Sequence, residues 1–387
     1  MFNIPPVPLM PMKIAVNTRF LMKDSLEGYG YFIQEVFRII TAKYPQHEFY
    51  FLFDRPYHES FVFNSNVHPI VVSPPARHPI LWKYWYDIKI PKILKQIEAD
   101  VFVSPDGFCS LNTKVPQCMV IHDLGFLHHP DAYRRSHSRY YKIYTPKFLK
   151  KARTIATVSG FSKNDLINRY KVPPEKIHIV PNAVKKVFRP LSFEDRQQIK
   201  AQYTEGREYF IYIGAIHPRK NLVNLLKAFS VFKKRLQSNM KLVLAGRLAW
   251  KNDEFLQLLK TYKYRDDIIL TDYIPEEELA RLTAAAYALV YPSLFEGFGV
   301  PVLEAMKCEV PAISSANTSM QEIAGDAGLY FDANDHADIA DKLMLIYKDE
   351  GLRNRMIEQS KEVAARYSWD HSAEMLWQAI VKANPRP

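Results

Sequence analysis

The chain has 387 residues, of which 48% are apolar and 24% are charged. At roughly 100 to 200 residues per domain this length indicates two domains, and the composition excludes a disordered chain. Three cysteines, Cys109, Cys118 and Cys308, are too few and too scattered for a disulfide framework or a four-ligand zinc site, which is typical of a protein in a reducing compartment. We therefore expect a folded cytoplasmic protein.

The first twelve residues do not resemble a secretory signal. Prolines interrupt them repeatedly, and the first basic residue is Lys13. Elsewhere no apolar run reaches the roughly 18 residues that a membrane-spanning helix needs. We expect the chain neither to be exported through such a signal nor to span a membrane.

The positive charge is concentrated in the first half of the chain. The net charge is +11, and residues 1–190 hold 27 Lys and Arg against 14 Asp and Glu, whereas residues 191–387 hold 25 against 27. Residues 131–190 alone hold 15 basic and 3 acidic side chains. This asymmetry predicts contact with a polyanion or with the inner face of an anionic membrane. A solvated basic face and a groove for an acidic glycan are the alternatives.

An aromatic segment, LWKYWYDIKIPK at 81–92, lies in the same half. Its rings, Trp82, Tyr84, Trp85 and Tyr86, suit a membrane interface, where they would meet lipid headgroups. The alternative is that they pack in the core of the first domain.

Short β-branched and aromatic runs alternate with helical patterns along the whole chain, which predicts βαβ units with parallel sheets. The expected strands are Ile14–Asn17, Glu48–Phe53, Pro69–Val72, Val101–Ser104, Cys118–His122, Thr154–Val158, Ile177–Val180, Tyr209–Ile213, Leu242–Ala245, Ile268–Leu270, Ala288–Tyr291, Ala312–Ser314 and Leu329–Phe331. A basic, proline-containing loop at 182–191 separates two sets of strands. We therefore predict an α/β protein with two doubly wound domains, residues 1–190 and 191–365, followed by a terminal helix and tail at 366–387.

The most informative segment is YPSLFEGFGVPVLEAM at 291–306. After a buried strand come Glu296, the loop glycines Gly297 and Gly299, and a helix with Glu304 in its first turn. Glycines let backbone N–H groups approach an anion, and a helix N-terminus adds unpaired donors. The segment predicts a phosphate-binding loop beside two carboxylates that accept sugar hydroxyls. A glycine turn without a ligand is the alternative.

A second segment, IGAIHPRKNL at 213–222, also follows a strand directly. Gly214 forms the turn, and Arg219 and Lys220 precede a helix that begins near Asn221. Two cations at this position would neutralise a diphosphate. Such pairs are common on surfaces, but this pair and the glutamate segment lie at strand ends of one domain, where ligands of open α/β sheets bind.

The spacing of these segments resembles glycosyltransferase family 4, the retaining group 1 transferases of the GT-B fold, which use nucleotide sugars. The resemblance runs from about Met12 to Trp377, and its sharpest elements are the pair Glu296 and Glu304 and the tripeptide RKN at 219–221. Further matches are ATVSGFSKNDL, VPPEKIHIVPNAV, LVLAG and VPAISSANTSMQEIAGDAGLYFD. It implies two Rossmann-like domains facing across a cleft, an acceptor-side first domain, a nucleotide-sugar-binding second domain, and a C-terminal helix that crosses back to the first domain.

The resemblance also implies roles for the matching residues. Arg219 and Lys220 would bind the donor diphosphate, Glu304 the ribose hydroxyls and Glu296 the transferred sugar. The residues expected to act at the reacting centre are His122, Arg219, Lys220 and Glu296. The other residues expected to bind the donor are Gly28, Gly30, Gly214, Arg247, Tyr273, Ile274, Gly297, Phe298, Gly299 and Val300.

The first domain matches the family less closely. Ala183 stands where the family has glycine after Pro-Asn, and Tyr29 separates Gly28 and Gly30 in a glycine-rich loop that is often continuous. His122 would end a strand close to the reacting sugar. A histidine there can equally be a structural hydrogen-bonding group.

We expect no metal and no cofactor other than the donor substrate. His128, His129 and Asp131 lack the spacing of a ligand set, and Arg219 and Lys220 supply the positive charge that a metal ion would bring.

The sequence also bears on three other functions. A dinucleotide-dependent dehydrogenase is excluded because Ile33 stands where the third glycine of the fingerprint belongs. A sugar-nucleotide epimerase of GT-B architecture and a non-enzymatic polyanion-binding protein stay as alternatives. Nucleic acid is not an expected partner, because no nucleic-acid-binding motif is present.

Taken with the resemblance, these features predict a retaining, metal-independent hexosyltransferase of cell-surface polysaccharide or glycoconjugate synthesis. The donor is an NDP-sugar, with GDP-mannose favoured and a UDP-sugar second. The acceptor is a glycan or a lipid-linked glycan. The resemblance of HDL and SMQEIAGDAG to mannosyltransferases favours mannose.

Overall fold

The computed structural model describes residues 10–23, 26, 28–248, 253–316 and 318–384. The first nine residues, on which the prediction about a secretory signal partly depends, lie outside these ranges.

The chain forms two compact units. Unit 1 contains the chain up to Asn182 and again from Trp369 onward, and unit 2 is Ala183–Ser368. The change from unit 1 to unit 2 falls at the start of the basic loop at 182–191, ahead of the boundary that we placed after residue 190.

Unit 1 contains one parallel sheet of seven strands. The strands are β1 (Lys13–Asn17), β2 (Glu48–Phe53), β3 (Val67–Val71), β4 (Val101–Ser104), β5 (Gln117–Val120), β6 (Thr154–Thr157) and β7 (Ile177–Ile179). Their order in the sheet is β3-β2-β1-β4-β5-β6-β7. The helices are α1 (Gly28–Lys43), α2 (Pro79–Tyr84), α3 (Ile90–Gln96), α4 (Gly125–His128), α5 (Arg135–Lys151) and α6 (Gly160–Tyr170), with a π-helical stretch at Trp85–Lys89 between α2 and α3.

Unit 2 contains a parallel sheet of six strands. The strands are β8 (Tyr209–Ile213), β9 (Lys241–Ala245), β10 (Ile268–Asp272), β11 (Ala288–Tyr291), β12 (Ala312–Ser315) and β13 (Gly328–Phe331), in the order β10-β9-β8-β11-β12-β13. The helices are α7 (Phe193–Thr204), α8 (Leu222–Leu236), α9 (Asp253–Lys260), α10 (Glu276–Ala284), α11 (Val300–Lys307), α12 (Ser319–Ala324), α13 (His336–Lys348) and α14 (Glu350–Ala365). This is the doubly wound order of dinucleotide-binding folds.

The central strands of both units are buried along their whole length. VFVS in β4, YFIYI in β8 and ALVY in β11 have every residue buried. Parallel strands covered by helices on both faces need such continuous apolar runs, because neither face meets water. The predicted α/β class with two parallel sheets is confirmed.

The last helix, α15 (Trp369–Ala383), belongs to unit 1. Leu376 and Ile380 are fully buried in the core of unit 1, and the Trp377 ring stacks on Tyr44 with centroids 4.0 Å apart. Thr154 of β6 donates a hydrogen bond from Oγ1 to the Ala379 carbonyl, at 2.9 Å. The expected return of the C-terminal helix to the first domain is confirmed, although the helix begins three residues later than predicted.

Candidate active site

The strand order of unit 2 brings two distant chain segments together. β8 and β11 are neighbours in the sheet although β9 and β10 lie between them in the chain. The connections that leave β8 and β11 run to opposite faces of such a sheet, and this opens a crevice at their carboxyl ends. Arg219 and Lys220 follow β8, and Glu296 follows β11.

The crevice brings the predicted cations and carboxylate into contact. Lys220 Nζ lies 2.5 Å from Glu296 Oε1 and 2.6 Å from the Tyr291 hydroxyl. Arg219 Nη1 lies 3.5 Å from the same Glu296 oxygen and also donates to the Phe295 carbonyl. These side chains are mostly buried, so water screens their charges weakly.

Glu296 is held as a carboxylate. Burial opposes its ionisation, but the charges of Lys220 and Arg219 and hydrogen bonds from Lys220 and Ser293 outweigh this, so its pKa falls to about 2. In this structure Glu296 contacts N–H groups of both Arg219 and Lys220. A ligand with negative charge or with hydroxyl groups would therefore bind by sharing or replacing these contacts.

The glycine loop after Glu296 leads into α11 as predicted. Gly299 precedes the first helical residue, Val300, and has a φ of 100°, a conformation that side chains disfavour. A Cβ on Gly299 would lie 2.8 Å from the Cγ atom of Met320, so the position has no room for one. Gly297 and Phe298 are buried beside it, and Pro301 occupies the first turn, where a missing N–H costs nothing.

Glu304 lies further along α11 than the sequence predicted. It is the fifth residue of α11, so it stands beyond the first turn. Only 9% of Glu304 is exposed, and burial raises its pKa to about 7, with Lys185 opposing and Glu276 adding to the rise. The chain therefore holds two glutamates eight residues apart with opposite pKa shifts.

The remaining predicted donor residues of unit 2 lie in loops at the same sheet edge. Gly214 follows β8, and its N–H donates to the Ala245 carbonyl at 2.9 Å. Arg247 follows β9 and is exposed. Tyr273 and Ile274 follow β10, and 80% of Tyr273 is exposed. Their contact with the donor stays a prediction.

The predicted glycine-rich loop of the first domain is a helix. Gly28 and Gly30 lie in the first turn of α1. A Cβ on Gly30 would lie 2.3 Å from the Phe20 carbonyl oxygen, so this glycine permits close packing of α1 on the chain after β1. Their proposed approach to the donor stays a prediction.

His122 lies two residues beyond the end of β5 rather than in the strand. Its Nε2 is 3.3 Å from the Pro105 carbonyl oxygen, and its ring meets the edges of Tyr29 and Phe32 with centroids 4.6 and 5.1 Å away. Burial lowers its pKa to about 4, against smaller opposing effects of Asp123, the Pro105 carbonyl and Asp106. The imidazole is therefore neutral at neutral pH.

His122 lines a cavity of about 290 Å³ within unit 1, which we call the unit 1 cavity. Arg19, Tyr29 and Asp106, which are not among the site residues expected from the sequence, also line it. Arg19 follows β1 and Asp106 follows β4, and these two strands are neighbours at the point where the strand order of unit 1 reverses. The rule that selected Glu296 would have found them if the strand order had been known.

Two family models match the chain. Residues 194–363 match the model described as "Glycosyl transferases group 1". Residues 38–186 match the model described as "Glycosyltransferase Family 4". The chain belongs to the group 1 glycosyltransferases.

Curated relatives of this glycosyltransferase include enzymes of O-antigen synthesis. The chain is 32% identical over 251 residues to the O-antigen chain mannosyltransferase B of Escherichia coli. This alignment covers 65% of the chain and 66% of that relative. The chain is 26% identical over 305 residues to the O-antigen chain mannosyltransferase RfbU of Salmonella typhimurium, covering 77% and 78% of the two chains. A match to the E. coli serotype-specific mannosyltransferase WbdA, at 27% identity, spans 58% of this chain and only 28% of that relative.

Solved structures share the fold of the glycosyltransferase. WaaG, involved in lipopolysaccharide biosynthesis, superposes with a TM-score of 0.75 at 16% identity, over 95% of this chain and 99% of WaaG. Anabaena HepE in complex with UDP-glucose gives a TM-score of 0.73 at 13% identity, over 96% and 99% of the two chains. The family match and the curated mannosyltransferase relatives favour a glycosyltransferase over the epimerase and polyanion-binding alternatives.

The described ranges of the glycosyltransferase hold no group of three or more His, Cys, Asp or Glu side chains placed to bind a metal ion. His128, one of the residues considered for such a site, pairs with Asp165 at 2.7 Å instead. Of the helices in the described ranges, none combines the length and apolarity needed to cross a bilayer.

Proposed function

We propose that this glycosyltransferase transfers mannose from GDP-mannose to a glycan acceptor, with retention of configuration. The observation that supports it most is the cluster of Arg219, Lys220 and Glu296 at the carboxyl ends of β8 and β11. It joins two fixed positive charges, a hydroxyl-binding carboxylate and a helix N-terminus, the groups that a sugar bound to a nucleoside diphosphate requires.

The cluster supports a mechanism in which the diphosphate is the leaving group. The bond between the sugar C1 and the diphosphate oxygen breaks, and the acceptor hydroxyl oxygen forms the new bond to C1 on the same face. The hydroxyl proton passes to the departing diphosphate. Arg219 and Lys220 would stabilise the negative charge that grows on the diphosphate. Stabilisation of developing charge by fixed groups is usually the largest single contribution to catalysis.

Mannose is proposed from the relatives, because the O-antigen chain enzymes aligned with both units are mannosyltransferases. The complex of HepE with UDP-glucose makes a UDP-sugar the second candidate. The test is calorimetric titration of the full chain with GDP-mannose, UDP-glucose and UDP-N-acetylglucosamine, followed by transfer from the tightest donor to p-nitrophenyl α-mannoside. Binding and transfer with GDP-mannose are expected. Preferential use of a UDP-sugar would overturn the donor assignment, and failure of all donors to bind would overturn the proposed function.

We also propose that unit 1 contacts an anionic membrane surface, where a lipid-linked acceptor would lie. The exposed face consists of Ile80, Tyr84 and Ile88 near α2 and Ile143 on α5, which are 76%, 41%, 43% and 45% exposed. Lys83 links the two helices, since its Nζ lies 5.5 Å from the centroid of the Tyr144 ring on α5.

Basic residues surround these apolar side chains. Arg139, Lys142 and Lys147 are exposed on α5, and each cation near an anionic membrane contributes about 1 kcal/mol. The predicted aromatic interface is wrong for three of its four rings, because Trp82, Trp85 and Tyr86 are buried in the core of unit 1, whereas Tyr84 is exposed. The contact is therefore assigned to the exposed isoleucines, Tyr84 and the basic side chains of α5.

Sedimentation with phosphatidylglycerol vesicles and with phosphatidylcholine vesicles tests this contact. Binding to the anionic vesicles alone, weakened by salt, is expected. Replacing both Lys142 and Lys147 with Gln should weaken it about 30-fold, since about 2 kcal/mol is lost. Equal binding to both vesicle types, or none to either at low salt, would exclude this electrostatic contact.

A further inference from the structure

Lys220 contacts a second buried group besides Glu296. Its Nζ lies 2.6 Å from the hydroxyl oxygen of Tyr291, the last residue of β11, as well as 2.5 Å from Glu296 Oε1. The ring centroid of Tyr291 is 5.0 Å from the same nitrogen, so the close contact is with the hydroxyl. Tyr291 is not among the site residues expected from the sequence, and the proposed function leaves it without a role.

The hydroxyl of Tyr291 is held in a fixed position. Only 1% of Tyr291 is exposed, and its ring stacks on Tyr212 with centroids 5.9 Å apart and an angle of 16° between the ring planes. β11 lies between β8 and β12, so its backbone is paired on both sides. A tyrosine hydroxyl is placed by two side-chain torsion angles, and packing of the ring restricts both. The oxygen is therefore a fixed acceptor at the carboxyl edge of the sheet.

Tyr291 bridges the cation and the carboxylate. Burial raises the pKa of Tyr291 well above its ordinary value, and the charge of Glu296 adds to the rise. The hydroxyl therefore keeps its hydrogen at neutral pH. It accepts a hydrogen bond from Lys220 Nζ and donates to Glu296 Oε1 at 3.3 Å. Tyr291 thus orients both charged groups without adding a charge of its own.

Glu296 has supports that do not involve the tyrosine. Ser293 Oγ donates to Glu296 Oε1, and Ser319 Oγ donates to the Glu296 main-chain carbonyl at 2.8 Å. These two serines would hold the carboxylate and its backbone in place if the Tyr291 hydroxyl were removed. Loss of that hydroxyl should therefore affect Lys220 more than Glu296.

A lysine needs a fixed partner if it is to act as a fixed charge. Its four-carbon side chain is flexible and ends in a compact cation with three donors. Charged groups stabilise developing charge best when they are in place before the reaction begins. A ligand that replaces the contact between Lys220 and Glu296 leaves the contact with the Tyr291 hydroxyl in place, because the packed ring does not move with the ligand.

We propose that Tyr291 is a positioning residue for Lys220, with its hydroxyl fixing the ammonium group beside the donor diphosphate. The proposal rests on the proposed function for the place of Lys220 in the donor site. Tyr291 itself touches neither the diphosphate nor the sugar in this role. Its hydroxyl should contribute more to the rate of transfer than to donor binding, because the negative charge on the diphosphate grows as its bond to the sugar breaks.

Tyr291→Phe tests the role, because it removes the hydroxyl and keeps the ring. We expect kcat to fall about tenfold and the donor Kd, measured by calorimetry, to change by less than about threefold. Tyr209→Phe is the matched control. Tyr209 is fully buried at the start of β8, at the opposite edge of the sheet, and donates its hydroxyl to the Leu282 carbonyl. The control should keep the kcat and Kd of the wild type. An unchanged kcat in Tyr291→Phe would overturn the proposal.

A double-mutant cycle determines whether Tyr291 acts through Lys220. In the Lys220→Ala background, Tyr291→Phe should cause no further loss of kcat, because the partner of the hydroxyl is already gone. A packing role that is independent of Lys220 would instead make the two losses multiply, and that outcome would overturn the proposal.

A measurement on the wild-type sequence does not depend on how well Tyr291→Phe folds. The full chain is deuterated except for its lysine and tyrosine side chains, and the Lys220 signal is assigned by its absence in Lys220→Ala. A nuclear Overhauser contact between the Lys220 Cε hydrogens and a tyrosine ring should persist when the tightest donor of the calorimetric titration is bound. Loss of this contact on donor binding would contradict a positioning role.

Failure of this proposal and failure of the donor site give different results. If Lys220→Ala loses transfer while Tyr291→Phe keeps it, the donor site stands and the positioning role is wrong. If Lys220→Ala transfers as the wild type does, Lys220 lies outside the donor site and both assignments fail.

Discussion

Lys220 Nζ lies 2.5 Å from Glu296 Oε1, although 75 residues separate the two in the chain. The contact exists because β8 and β11 are adjacent strands, so that the loops after them begin side by side. It combines a cation suited to a diphosphate with a carboxylate suited to a sugar hydroxyl.

Lys220→Ala should reduce transfer by about ten- to a hundredfold, because a charge-assisted hydrogen bond contributes roughly 1.5 to 3 kcal/mol. The measurement is kcat/KM for the donor at saturating acceptor. Lys234→Ala is the matched control, since Lys234 is exposed on α8. Equal activity of Lys220→Ala and the control would remove Lys220 from the donor site.

Glu304 should make donor binding depend on pH. Burial raises its pKa to about 7, so the carboxylate that would accept ribose hydroxyls forms only as the pH rises through this value. Donor affinity, measured by calorimetry from pH 6 to pH 8, should increase across this interval in the wild type. In Glu304→Gln the affinity should be lower and flat with pH. A wild-type affinity that does not change would contradict a ribose-binding carboxylate.

The same residue should affect stability with a definite sign. The pKa of Glu304 in the folded state, about 7, lies above its ordinary value of 4.5. The folded state therefore holds more protons than the unfolded state between these values, and the free energy of unfolding should fall by about 3 kcal/mol as pH rises from 4.5 to 7. Urea denaturation should show this slope in the wild type. The difference in the free energy of unfolding between the wild type and Glu304→Gln, taken at each pH, separates the effect of Glu304 from that of other titrating residues.

Transfer should survive removal of metal ions. Arg219 and Lys220 supply two positive charges beside Glu296, which is the electrostatic role that a divalent ion has in other transferases. The assay is transfer in excess EDTA, with the untreated enzyme as the control. Complete loss that Mg²⁺ or Mn²⁺ restores would show that the cations of the chain do not suffice.

Leu376→Ala should lower the free energy of unfolding by about 2 to 5 kcal/mol, because a fully buried leucine of α15 leaves a cavity in the core of unit 1. Lys382→Ala, at an exposed position of the same helix, should change it by less than about 1 kcal/mol. Truncation after Tyr367 should lower stability and activity together. A truncated chain with an unchanged melting temperature would contradict a structural role for α15.

Local sequence determined where the strands and the main phosphate-binding loop lie. The runs Glu48–Phe53 and Ala288–Tyr291 match β2 and β11 at both ends, because short runs rich in aromatic and β-branched residues between turn signals are typical of strands. The place of Gly299 in the loop before α11 was also predictable, since a positive φ suits a residue without a Cβ. Predicted strand boundaries were wrong where contacts between distant residues decide them. His122 was predicted to end a strand but lies beyond β5.

Only the tertiary structure decided which strand ends meet and which rings are buried. The pair Arg19 and Asp106 was not selected because its two residues stand 87 positions apart and become neighbours only through the order of β1 and β4. Trp85 has the same amphipathic character as Tyr84, yet Trp85 is buried and Tyr84 is exposed. The sequence specifies each segment through its own periodicity and turn residues, whereas sheet order and burial depend on packing between segments, and single-residue patterns do not encode that packing.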